Sequence, residues 1–123
     1  MSVLKEIVFE SRKPSALARF WAQVLDGYAV RAYDADEIAR LAGLGLTPET
    51  DPSVMVDGPG PSLCFHRVPG RDDRSNRLHL DVRTPDRRAE VARLIALGAT
   101  IARETPDYTV MKDPEGNQFC VVQ

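Results

Sequence analysis

Asp113-Pro114-Glu115-Gly116-Asn117-Gln118 leads into the apolar run Phe119 to Val122, and further upstream stands Leu78-His79-Leu80-Asp81-Val82. An Asp-Pro-x-Gly turn supplies the positive-φ glycine of a tight connection, and Pro114 presets the entry dihedral, so a last strand is expected over Gln118 to Val122. Asn117 tolerates the same unusual dihedrals, and the group reads as turn chemistry rather than catalysis. Side chains alternate across a strand. Leu78, Leu80 and Val82 therefore share one face of the upstream segment, and His79, Asp81 and Arg83 share the other.

Working outward, Val3 to Phe9 is β-branched and aromatic and reads as a strand. Lys13-Pro14-Ser15 then opens a helix, with Ser15 as its expected cap. Ala16, Leu17, Phe20, Trp21, Val24 and Leu25 recur at helical spacing, so Phe20 and Trp21 read as core residues. Gly27 ends the helix, and Tyr28 to Tyr33 can return as a strand. A shorter helical pattern runs from Asp34 through Ile38 and Leu41 until Gly43 and Gly45 weaken it. Ser53 to Asp57, the turn Gly58-Pro59-Gly60-Pro61 and Ser62 to Val68 form an expected hairpin. Residues 69–76 are polar and charged without an apolar period, the natural linker. Beyond them follow a strand at Arg77 to Arg83, a helix at Pro85 to Leu97 stopped by Gly98, and strands at Ala99 to Arg103, Tyr108 to Lys112 and Gln118 to Val122. Each half thus runs strand, helix, then three strands. The fold class is α+β, with two βαβββ modules, about 1–68 and 77–123, in one domain over 1–123.

Size and charge narrow the function. The 123 residues, 43% hydrophobic, suit a single core. A formal charge of -2 gives no reason to expect nucleic acid or an anionic membrane as partner. Arg67, Arg71, Arg74 and Arg77 gather locally, but Asp72 and Asp73 sit among them, as in a solvated loop. With no apolar run of spanning length and no basic-then-apolar opening, a cytoplasmic protein is expected. The two cysteines, Cys64 and Cys120, are then free thiols. Small buried hydrophobes are the commonest fate of such residues.

Sorted by alternation, Ile7 and Phe9 oppose Glu6, Val8 and Glu10. Leu63 and Phe65 likewise oppose Cys64 and His66, and Phe119 and Val121 oppose Gln118, Cys120 and Val122. If helices cover the apolar sides, Glu6, Cys64, His66, His79 and Cys120 all belong to the uncovered sets.

The element order, the terminal Asp-Pro-x-Gly strand, Phe20-Trp21, Leu25-Asp26-Gly27, Leu97-Gly98-Ala99 and Asn76-Arg77-Leu78-His79-Leu80-Asp81 together resemble the vicinal-oxygen-chelate superfamily. Glyoxalase I, extradiol dioxygenases and bleomycin-resistance proteins belong to it, and the small glyoxalase-like domains are most similar. The resemblance spans essentially the whole chain. It implies a curved mixed sheet forming a cup, helices outside, and a divalent metal on the inner face. The metal positions, on the first and last strands of each half, fall on Glu6 and His79, then Cys64 and Cys120, with His66 as a further candidate. Cys120 departs from the carboxylate usual there. Thiolates with a His and a Glu favour zinc or iron over magnesium or manganese. If both thiols point into the cup, they are also placed to share a metal or to form an oxidation-sensitive pair.

On this resemblance the chain binds a small organic molecule, either as a metal-dependent lyase or isomerase acting on vicinal oxygens, with Glu6 as its proton-transfer carboxylate, or as a metal-free sequestering protein of the bleomycin-resistance type. Tyr28, Tyr33, Trp21 and Tyr108 supply aromatic surface for such a ligand. An extradiol dioxygenase fits least, because Cys120 stands where its carboxylate would be. A homodimer is the expected assembly, since exposed sheet edges invite pairing.

Overall fold

Alternating β-branched and aromatic residues build a first strand, β1 (Val3–Ser11), two residues longer than the apolar pattern alone suggests. It is followed by α1 (Pro14–Val24), β2 (Ala29–Val30), α2 (Ala35–Gly43), β3 (Ser53–Asp57) and β4 (Ser62–Arg67). Then come β5 (Leu78–Arg83), α3 (Arg87–Ala96), β6 (Thr100–Glu104), β7 (Tyr108–Lys112) and β8 (Gln118–Val122). The computed structural model describes residues 1–69, 78–112 and 116–123. The linker from residue 70, with Arg71, Arg74, Asn76 and Arg77, and the turn residues 113–115 lie outside the described residues.

The α+β class and the two strand-helix-strand-strand-strand runs are as the sequence predicts, with α2 as an insertion in the first. The compact units, however, divide within β1. Met1–Ile7 joins His79–Gln123, and Val8–Leu78 forms the other unit.

In the unit containing β5 to β8, the strand order is β1-β5-β8-β7-β6. β5 and β8 run parallel, with Leu80 opposite Phe119, Asp81 opposite Cys120 and Val82 opposite Val121. β7 and β8 are antiparallel, with Met111 opposite Phe119 and Val110 opposite Cys120. One face of this sheet carries Val82, Met111, Phe119 and Val121, which pack with Val91 and Leu94 of α3 and with Ala99. Asp86 caps α3 by accepting from the Ala89 amide at 3.0 Å. Gly98, at φ +108°, turns the chain out of that helix.

In the unit containing α1, the order is β2-β3-β4-β1. The β3–β4 hairpin sets Val54 opposite Phe65 and Val56 opposite Leu63, all four buried. Phe65 stacks on Phe9 with ring centres 5.0 Å apart, and Phe9 stacks on Trp21 of α1 at 6.2 Å. Two sequence expectations are corrected here. Ser15 is not the helix cap. Lys13 occupies that place without a side-chain bond, Pro14 takes the first helical position, and the Ser15 hydroxyl accepts from Arg19 at 2.7 Å. The strand expected over Tyr28 to Tyr33 shrinks to Ala29–Val30, because Asp34 already caps α2 by accepting from the Glu37 amide at 2.8 Å. Among the described residues no helix is long and apolar enough to cross a membrane.

The approach to α2 is anchored by the Tyr33 hydroxyl, which donates to Asp51 Oδ2 at 2.8 Å, while Asp51 Oδ1 accepts from the Ser53 amide at 2.9 Å. Burial and then the adjoining Asp51 carboxylate raise the Tyr33 phenol well above its ordinary pKa of 10. In the unfolded chain the phenol ionises near its ordinary value, whereas the folded chain resists ionisation. The stability linked to Tyr33 is therefore fully present below about pH 10 and is lost as pH rises through that value toward the higher folded one. Urea midpoints followed from about pH 8 to about pH 11 should fall steeply in the parent protein, and Tyr33→Phe should flatten the alkaline part of the curve.

Candidate functional site

The parallel register of β5 and β8 turns one set of polar side chains away from α3. His79 and Asp81 lie two residues apart on the same face of β5, and Cys120 stands directly opposite Asp81 on β8. One ligand atom from each of His79, Asp81 and Cys120 lies within 4.8 Å of the others. Among the described residues this is the one group of three or more histidine, cysteine or acidic side chains close enough to hold a metal ion. All three side chains are sheltered, and Asp81 is only 9% exposed.

Glu6 of β1 is buried as well and contacts Asp81. Lys5 Nζ lies 3.3 Å from Glu6 Oε1. Burial first, and the Asp81 contact next, push the Glu6 carboxyl above its ordinary range, with Lys5 pulling the other way. For Asp81, burial also acts upward, but the combined pull of His79, Glu6 and Lys5 outweighs it and the net shift is downward. Asp81, followed by Cys120, pushes the His79 imidazole up to about 10, against its own burial. The pair Glu6 and Asp81 thus divides into a carboxyl that tends to keep its proton and one that tends to lose it.

The His79–Asp81 contact is not a hydrogen bond. Nε2 and Oδ1 are 3.4 Å apart, an ion-pair distance, yet Asp81 Oδ1 is a buried acceptor with no hydrogen-bond partner. An orphaned carboxylate oxygen beside an imidazole and a thiol fits a cation, since the three groups together offer oxygen, nitrogen and sulfur donors.

Of the positions expected from the sequence, His79 and Cys120 come together, and Glu6 stands beside them. Cys64 and His66 belong to the other compact unit and to no such group. Cys64 is buried on β4, its Sγ 3.4 Å from Ser53 Oγ, while His66 is exposed. Asp81 is the member missing from the expected set. Its place two residues after His79 was the available signal.

The aromatic candidates do not gather. The Tyr28 hydroxyl donates to the Pro61 carbonyl at 3.0 Å, and its ring lies against the β3–β4 turn so closely that a Cβ added at Gly58 would meet it at 2.5 Å. Tyr33 is committed to Asp51, and the Tyr108 hydroxyl accepts from Arg103 at 3.4 Å. Trp21 lines an open groove of about 750 Å³ on the α1 unit, with Phe9, Leu17 and Phe20, and the three tyrosines do not line it. Phe20 is 56% exposed, so its expected core role is corrected: it packs edge-on against Trp21 and leaves one face to solvent. None of His79, Asp81, Cys120 or Glu6 lines this groove.

Residues 6–122 match the family model of the glyoxalase-like domain. Among solved structures, a glyoxalase/bleomycin resistance protein/dioxygenase superfamily member from Vibrio splendidus 12B01 is similar over 100% of this chain and 99% of its own, with 14% identity and a TM-score of 0.59. A protein from Staphylococcus aureus is similar over 98% of this chain and 97% of its own, with 11% identity and a TM-score of 0.58. No curated protein sequence matches the chain.

Because Cys64 is only 8% exposed and Cys120 is more open, a bulky aromatic disulfide reagent should label Cys120 first. The time course should be biphasic in the native protein, and Cys120→Ser should remove the faster phase. A faster phase that survives this substitution would contradict the placement of the two thiols.

Proposed function

Because the chain belongs to the glyoxalase-like domain family, we propose that it binds a small organic molecule at the polar face of β5 and β8 and holds a divalent metal there. The observation that carries this reading is the convergence of His79, Asp81 and Cys120 ligand atoms within 4.8 Å. When bound, such an ion supplies Lewis acidity toward vicinal oxygens of the ligand. His79 and Cys120 would hold it, and the sulfur donor favours zinc or iron over magnesium. Glu6 is the carboxyl assigned to proton transfer: it is buried, raised in pKa, and adjoins the group without belonging to it. The reaction class that fits this pairing is a lyase or isomerase of the glyoxalase type, acting in the cytoplasm.

Elemental analysis of protein purified without a metal-affinity step tests the reading. About one zinc or iron per chain is expected, and its removal by a chelator should abolish binding of vicinal-oxygen compounds. One specific observation favours a metal-free alternative. The groove walled by Phe9, Phe20 and Trp21 offers apolar surface of the kind that holds an aromatic molecule, as a sequestering protein would. Metal-free protein that binds aromatic ligands unchanged after chelation would select that alternative.

A homodimer is the assembly we infer. β6 ends the strand order of its unit, and every one of its residues is exposed, including the apolar Ile101, which leaves an edge open to pairing. Light scattering at micromolar concentration should give twice the chain mass of 13.6 kDa, and a monomer mass throughout would refute the dimer.

A further inference from the structure

Resting on the metal reading above, we propose that Asp81 is the third protein ligand of the centre, so that the donor set is one imidazole, one carboxylate and one thiolate, all from β5 and β8.

Three observations lead to it. Asp81 is nine-tenths buried, and its Oδ1 has no hydrogen-bond partner although it faces the imidazole. A buried carboxylate oxygen left without a donor costs free energy, and native structures seldom keep one unless another group satisfies it. The separation is the second observation. A charge-assisted N–H···O bond would close to about 2.7–2.9 Å. His79 Nε2 and Asp81 Oδ1 instead stand 3.4 Å apart. This is close to the ligand-to-ligand edge of a tetrahedral shell whose bonds to nitrogen and oxygen are about 2.0–2.2 Å. Third, the thiol joins the same cluster from the facing strand, because the parallel register sets Cys120 against Asp81 rather than against His79.

The carboxylate expected from the first strand, Glu6, is not in this group, and its Oε1 already lies 3.3 Å from the Lys5 ammonium. Cys64, the other expected sulfur, is engaged with Ser53 in the other unit. Asp81 therefore supplies the one negative charge needed beside the Cys120 thiolate. One thiolate and one carboxylate neutralise a divalent ion, and three protein ligands leave a coordination position for an oxygen of a bound molecule. The mixed oxygen, nitrogen and sulfur set selects zinc, cobalt or iron over the hard ions magnesium and manganese.

Cobalt(II) titration of the metal-free full-length chain, followed by absorbance, tests the assignment. The parent should take up one equivalent with a thiolate-to-cobalt charge-transfer band that Cys120→Ser abolishes. Asp81→Asn should weaken cobalt binding by about 100-fold or more, beyond what loss of an outer-shell partner produces. Asp81→Cys should roughly double the charge-transfer intensity, because a second sulfur enters the shell. If Asp81→Asn fails to fold, the Asp81→Cys spectrum decides. Parent-like affinity in Asp81→Asn, or an unchanged band in Asp81→Cys, overturns the Asp81 assignment and leaves a metal on His79 and Cys120 standing. Absence of cobalt uptake by the parent overturns the metal reading itself.

Discussion

The parallel pairing of β5 with β8 is the constraint on which the candidate site depends. A strand has a period of two, so a single register decides simultaneously which side chains meet α3 and which meet one another on the opposite face. With Val82 opposite Val121, these two and Phe119 pack against Val91 and Leu94, whereas Leu78 and Leu80, expected on the same covered face, stay 48% and 42% exposed. The same register sets Asp81 opposite Cys120. A slip of β5 by one residue would turn His79 and Asp81 toward the helix, away from Cys120, and bury their polar atoms among hydrocarbon at a cost of several kcal/mol. Hydrophobic burial on one face thereby holds the polar cluster on the other.

That cluster is electrostatically uneasy by construction. Two carboxyls, Glu6 and Asp81, are withdrawn from water side by side, and burying like charges together is unfavourable. The chain answers by treating them differently. Lys5 and Asp81 contend over Glu6, and burial leaves it raised, whereas His79 and its neighbours keep Asp81 lowered. Two titratable groups whose surroundings push their pKa values apart are characteristic of functional sites, although structural ion-pair networks share the trait. The Oδ1 of Asp81, buried without a hydrogen bond beside the imidazole and the thiol, is consistent with the first of these.

The unit containing α1 is built on different physics. Its interior is an aromatic and aliphatic stack, Phe65 on Phe9 on Trp21, with Val54, Val56 and Leu63 beside it. Polar side chains there serve the backbone and the edges. Tyr28 clamps a turn, Tyr33 anchors Asp51, and Arg31 grips Asp57 through two bonds of 2.7 and 2.9 Å. Aromatic content by itself was thus a poor guide to ligand surface, because each hydroxyl had a closer structural partner in the folded chain.

Local chemistry written in the sequence determined the elements and their faces. Alternation in Leu78 to Arg83 and Gln118 to Val122, the helix start at Asp34, and chain reversal after α3 at Gly98 all act within a few residues, so they are legible without coordinates, whereas the helix expected from Pro85 begins at Arg87 behind its Asp86 cap. The sorting of His79 and Cys120 away from the helix-covered face followed from the same short-range rule, and it also contained Asp81, unrecognised. Which of these like-facing residues converge was decided by tertiary structure alone. Cys64 and Cys120 hold equivalent positions in the two halves, yet Cys120 meets Asp81 and Cys64 meets Ser53. Strand register and partner choice arise from long-range pairing of segments some forty residues apart in sequence. No local pattern encodes that pairing, because its energy comes from the whole apolar face that the pairing buries.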